Sequence, residues 1–154
     1  MPESEGIKLD ETDKAIIREL QVEGRIPYSR LAPLVGLSEA ATRQRVNRLI
    51  EGDVVQIVAV TDPASLGLRY QAMVGINVND DVERVAADLT NLEEVSYVVI
   101  VAGRYDILIE VVCTDSDHLL KVVHRDIRGT RGVTSSETLS YLRLVKQSYS
   151  WGTD

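Results

Sequence analysis

This 154-residue chain has one cysteine, two histidines and no apolar run long enough to cross a bilayer. A lone Cys113, set in an apolar stretch, excludes an intramolecular disulfide framework. With only Cys113, His118 and His124 available, no zinc-site spacing can be drawn. The two histidines belong to a polar-faced helix and read as solvated surface. Every apolar stretch falls short of the roughly 20 residues of a membrane span. Met1-Pro2-Glu3-Ser4-Glu5 lacks the basic-then-apolar order of a signal, so a cytoplasmic location is expected. The sequence offers no nucleophile–base pair, metal cluster or phosphate loop, and it is read as a non-enzyme without a cofactor.

What is present is enough apolar material for a core, 44% of the residues, in a length that suits one large domain or two small ones. The net charge of −7 argues against a polyanionic partner when summed over the chain. Distribution matters more than the sum. Between residues 25 and 48, Arg25, Arg30, Arg43, Arg45 and Arg48 face Glu39 alone, while acidic residues gather at 10–13, 80–83 and 93–94. A basic face on an acidic body still attracts phosphate, and the acidic remainder limits non-specific binding.

The basic stretch has a specific form. An amphipathic helix from about Tyr28 to Val35 is followed by Gly36-Leu37-Ser38 and then by Glu39 to about Glu51. Two helices joined by a short Gly-containing turn are the sequence form of a helix-turn-helix, whose second helix enters the DNA major groove. Asp10 caps a preceding helix with Ile16, Ile17 and Leu20 on its apolar side, ended by Gly24. Pro33 is compatible with the second helix if the regular turns begin near Arg30. In the third helix Thr42, Val46 and Leu49 share the inward face. Ala40, Gln44 and Asn47 lie opposite, flanked by Arg43 and Arg48. Ser38 is the N-cap, and the small Ala40 and Ala41 let the backbone approach the groove. Arg43 and Gln44 suit guanine and adenine edges, and Arg48 suits phosphate. Arg45 lies beside the core, where packing and phosphate contact are both open. Val54 to Val60 is β-branched and suggests the strands of a wing.

These residues define a DNA-binding unit over 1–62 and a connector over 63–69, marked by Asp62-Pro63 and Gly67. A second unit follows over 70–154. There strand patterns at 72–78, 95–102, 107–113 and within 134–145 alternate with helical patterns around Val82 to Leu89 and Leu119 to Ile127. The order βαββαβ is ferredoxin-like, and the fold class is α+β. Its helices cover one sheet face. Met73, Val99, Val101 and Leu108 make the other face apolar as well, which points to dimerisation.

The chain resembles the Lrp/AsnC, or feast/famine, family of transcription regulators. The matching pieces are Leu9-Asp10 through Asp13, Leu31-Ala32 with Gly36-Leu37-Ser38, Arg45-Val46 with Leu49, Leu66-Gly67, Gly103 with Tyr105-Asp106, and Val145-Lys146. Each is weak alone; their order and spacing make them specific. The resemblance implies a winged helix-turn-helix bound to double-stranded DNA and a ferredoxin-like domain for assembly and sensing. It also implies homodimers joined into tetramers or octamers, with an effector, often an amino acid, held between dimers. Gly103-Arg104-Tyr105-Asp106 is then both a hairpin and a pocket edge, with Asp106 facing an ammonium group. Many relatives carry an acidic residue where Arg104 stands. Arg104 either clamps a carboxylate or closes the site. Thr138, Leu139, Ser140 and Tyr141 either border the pocket or merely alternate along a strand. Two other functions fit the same fold: a stand-alone metabolite-binding module, and an enzyme like the haem-pathway decarboxylases.

Overall fold

A computed structural model describes residues 7–148 of the chain. The segment read for a signal and the final residues of the second unit lie outside these. The described chain forms two units: one runs to Val60 and includes Lys146 to Ser148, and the other is Thr61–Val145. The division falls at Val60/Thr61, and the connector belongs to the second unit. There Asp62 caps a 3-10 turn, Pro63–Leu66, that ends on a left-handed Gly67 with φ +84°.

In the first unit, α1 spans Glu11–Val22, α2 Tyr28–Leu34 and α3 Glu39–Glu51. Each helix begins where a short polar side chain or a proline sets the backbone. Asp10 and Asp13 exchange a reciprocal capping box: the Asp13 amide donates to Asp10 Oδ1 at 2.8 Å, and the Asp10 amide to Asp13 Oδ2 at 3.1 Å. Pro27, with φ −68°, precedes α2, and its carbonyl accepts from Arg30 and Leu31. The helix therefore starts at Tyr28, earlier than the proline argument required, and Pro33 stands inside it. The bond that Pro33 lacks would have run to Ser29, which is exposed, so water can serve that carbonyl. Gly36, at φ +68°, makes the turn into α3. Ile16, Leu20, Ile26, Leu31, Val46 and Leu49 form one core, each removing about 1.5–3 kcal/mol worth of apolar surface from water.

The wing strands expected over 54–60 are not there. This stretch has no strand, and Ile57, Val58 and Val60 are exposed. β-branched composition favours extended backbone, but a strand needs a partner edge, and among the described residues the first unit offers none. Val55 packs against the helical core.

In the second unit, β1 (Tyr70–Val78), β2 (Val95–Ile100), β3 (Ile107–Cys113) and β4 (Val133–Ser140) form an antiparallel sheet of order β2-β3-β1-β4. The connecting helices are α4 (Val82–Leu89) and α5 (Ser116–Lys121), and α5 runs on into a π-helical segment, Val122–Ile127. This is the expected βαββαβ fold. Ala72, Val74, Ile76, Ile107, Ile109, Val111 and Cys113 pack against Val85, Ala86, Leu89, Val122, Val123 and Ile127. Burial pushes the Cys113 thiol up to about 11, so it acts as a small hydrophobe. His118 is not simply solvated: it is half-buried, with Nε2 at 2.8 Å from Glu94 Oε1.

Candidate functional site

Asp13 organises the first unit's site. It is fully buried, and its carboxylate accepts from two arginines of α3. Arg45 donates to Asp13 Oδ1 at 2.9 Å and to Asp10 Oδ2 at 2.7 Å, and Arg48 donates to Asp13 Oδ2 at 2.5 Å. The Arg45 guanidinium beside Asp10 holds that carboxyl below its ordinary value, helped by the Asp13 amide. The capping box of α1 is thus also the anchor of α3. It joins residues more than 30 positions apart in the sequence. Arg45 is thereby tied to α1 beside the core, with part of its side chain still open to solvent. Arg48, expected to face phosphate, is instead turned onto Asp13. It remains half-exposed, but its first partner is structural.

The rest of α3 keeps its outward face. Ser38 caps it, accepting from the Ala41 amide at 3.2 Å, and Thr42 Oγ1 donates to the Ser38 carbonyl at 2.9 Å. Thr42, Val46 and Leu49 are buried, as the helical spacing requires. Ala40, Gln44 and Asn47 are exposed, and Ala41 is half-buried. Arg43 is also exposed. Its guanidinium lies 5.1 Å from the centre of the Tyr28 ring and 3.6 Å from Glu39, which aligns it along the helix surface. The outcome is a capped helix, packed on its inner face, that presents Ala40, Arg43, Gln44 and Asn47 to solvent.

The second site lies on the sheet face away from the helices. Paired residues of an antiparallel sheet share a face, and β1 Gly75 pairs with Leu108 and Glu137. The Tyr105 ring covers Gly75: a Cβ there would meet the ring at 2.7 Å. Tyr105 donates its hydroxyl proton to Glu137, which raises the phenol above its ordinary value. Arg104 stacks 5.3 Å from the Tyr105 ring centre and pairs with Glu137 Oε2 at 2.8 Å. Asp106 is occupied as well. It accepts from the Val78 amide at 2.8 Å, where the β1–β4 register shifts. Gly103, at φ +157°, opens the turn.

The structure therefore brings Arg104 and Tyr105 together with Glu137. Leu139, two residues on from Glu137, shares their face. Thr138 and Ser140 pair with Val74 and Ala72 and point to the helix side, away from this cluster. Tyr141 continues from Leu139 toward Glu110; burial first, and then that carboxylate, push its phenol up to about 12. Glu137 and Gly75 were not singled out in the sequence, and Asp13 entered only as the end of the Leu9-Asp10 motif, with no role given to it. A glycine inside a strand is a signal of close approach, and Gly75 carried it.

Comparison with known proteins gives these sites a context. The description "AsnC-type helix-turn-helix domain" matches residues 9–50, and "Lrp/AsnC ligand binding domain" matches residues 71–151. The chain belongs to the Lrp/AsnC family. It is 33% identical to an HTH-type transcriptional regulator of Pyrococcus horikoshii over 99% of this chain and 95% of that one. Its fold is similar to the leucine response regulatory protein LrpA of Mycobacterium tuberculosis, at TM-score 0.84 and 31% identity, covering 93% of this chain and 99% of that one. It is also similar to a Neisseria meningitidis transcriptional regulator solved as an L-Met complex, at TM-score 0.85 and 26% identity, covering 94% and 97%. As a member of the Lrp/AsnC family, the chain is a DNA-binding transcriptional regulator with a ligand-binding domain. α1, α2 and α3 make up the matched helix-turn-helix, and the sheet unit is the matched ligand-binding part. The relatives are regulators rather than enzymes. Among the described residues no helix is long and apolar enough to cross a membrane, and no group of acidic, His or Cys side chains is arranged to hold a metal.

Proposed function

We propose that the chain binds specific DNA sequences through Arg43, Gln44 and Asn47, with Ala40 and Ala41 admitting the helix to the major groove. Ser38 and Asp13 set the helix in place. The observation that carries this reading is the division of labour along α3: Arg45 and Arg48 pair with buried Asp13, while the stripe opposite the buried Thr42, Val46 and Leu49 is left to solvent. Two copies in a dimer contact successive major grooves on one side of the duplex, so the site is roughly palindromic. Tetramers or octamers extend that arrangement. A small molecule, of which an α-amino acid is the best-supported class, tunes assembly or DNA binding from the sheet face around Gly103, Arg104, Tyr105 and Asp106. The L-Met bound to the Neisseria meningitidis regulator supports that class. Such an effector shifts the equilibrium only by its difference in affinity between states. In this reading Arg104 closes the site through Glu137 until a ligand competes. A genomic pull-down of bound DNA, followed by thermal-shift screening of amino acids, tests both parts. Recovery of no enriched sequence would sink the first, and no stabilisation by any amino acid would sink the second.

A further inference from the structure

We infer that the exposed face of α5 and its π-helical continuation, formed by Lys121, His124, Arg125 and Arg128 and extended by Arg131, is a second contact surface for the DNA backbone, distinct from α3. The inference rests on the reading of the chain as a DNA-binding protein and adds a site in the other unit.

The first support is placement. Val122, Val123 and Ile127 are buried against the sheet, so the residues at intervening helical positions are forced outward. Lys121, His124, Arg125, Arg128 and Arg131 are all exposed. The second support is weak neutralisation. Arg125 is the exception, paired in two places with its neighbour Asp126, Nε to Oδ1 at 2.8 Å and Nη2 to Oδ2 at 3.2 Å, so the weakly neutralised cations are Arg128 and Arg131. Arg128 has Ser136 Oγ at 3.0 Å and His124 Nδ1 at 3.4 Å, and neither is a carboxylate. Arg131 stands 3.8 Å from Asp80, whose same oxygen already accepts from Arg84 at 2.9 Å. The third support is contrast. Within 121–131 one carboxylate faces four fixed cations, in a chain whose net charge is −7. An ordinary solvated face mixes both signs.

The chemistry favours phosphate. Arginine forks match phosphate oxygens in pairs, and the Ser136 hydroxyl beside Arg128 is a further donor of the kind that backbone contacts use. An acidic protein surface would also be attracted. DNA is preferred because the same chain already engages it. Each subunit of an assembly would then add one such patch along DNA flanking the operator.

The test uses the full chain and fluorescence anisotropy against two operator duplexes, one of about two helical turns and one of about six. The variant is Arg128→Gln with Arg131→Gln. It should bind the short duplex like the wild type and the long duplex about tenfold more weakly at moderate salt. Its log–log salt slope on the long duplex should fall by roughly two units per engaged protomer. Lys121→Gln with Arg131→Gln leaves the Ser136 contact intact and should show the same pattern, which separates lost charge from disturbed folding. Arg43→Ala should do the opposite, losing sequence preference while keeping the extra slope of the long duplex. Unchanged affinity and slope in both patch variants would overturn the inference and leave the α3 reading standing. A changed oligomeric state by light scattering with no change in slope would make the patch a subunit contact, and would also overturn it. Failure of the wild type to bind either duplex would overturn this inference and the α3 reading together.

Discussion

Asp13 shows how much one side chain decides. A carboxylate with no exposed surface is stable only because Arg45, Arg48 and the Asp10 amide all donate to it. Asp13→Ala should cost about 3 kcal/mol, near the low end for breaking a buried pair, because the freed arginine heads can reach water. Denaturant unfolding with a reduced midpoint and an unchanged slope would record it, and a change below about 0.5 kcal/mol would contradict it. Asp10 adds a pH dependence. Its folded-state value is depressed, so its contribution is fully present above the unfolded value near ~3.9 and is lost as pH falls through the folded one. Stability should therefore decline in acid below about pH 4, and Arg45→Ala should flatten that decline in a pH series of unfolding curves. On the sheet face, Glu137→Gln should bring the Tyr105 phenol down toward its ordinary value in an ultraviolet difference titration, since the carboxylate is the first cause of its elevation. A titration curve identical to the wild type would remove the Tyr105–Glu137 bond from the account.

The elements were legible where local chemistry and periodicity agreed. Ser38 before a helix with buried positions at 42, 46 and 49 gave α3 its limits, and Asp10 did the same for the start of α1. β3 alternates buried and half-buried residues along its whole length, so its period was plain. Two elements were misread for physical reasons. Val54 to Val60 has strand composition, but pairing is a long-range property that composition does not carry. The change from α5 to a π-helical turn leaves the apolar spacing of Val122, Val123 and Ile127 nearly intact, so nothing local announced it. The site was partly legible for the same reason. The exposed stripe of α3 follows from helical spacing, whereas the Asp13 clamp and the Glu137 cluster join residues more than 30 positions apart. The cap itself can be tested. Ser38→Ala should cost about 1 kcal/mol and loosen the first turn, where Ala40 and Ala41 approach DNA. Unfolding curves measure the first effect and operator affinity the second.

At the scale of the whole molecule, a DNA-binding unit and a ligand-binding unit are carried on one chain, and the open sheet face is the expected route to assembly. Met73, Val99 and Leu108 are half-buried there, while Tyr97 and Leu139 are exposed. The full chain should be at least dimeric by light scattering at micromolar concentration. Leu139→Glu should lower the mass and weaken operator binding together, because a second linked head makes the second contact effectively intramolecular. The central claim, however, is that the exposed stripe of α3 reads sequence. Its most direct test is competition binding between a pull-down-selected operator and a scrambled duplex, using the wild type, Arg43→Ala and Gln44→Ala. The account predicts that each substitution removes about 1–3 kcal/mol of the wild type's preference and leaves the thermal midpoint unchanged. Wild-type discrimination in both variants, or none in the wild type, would contradict it.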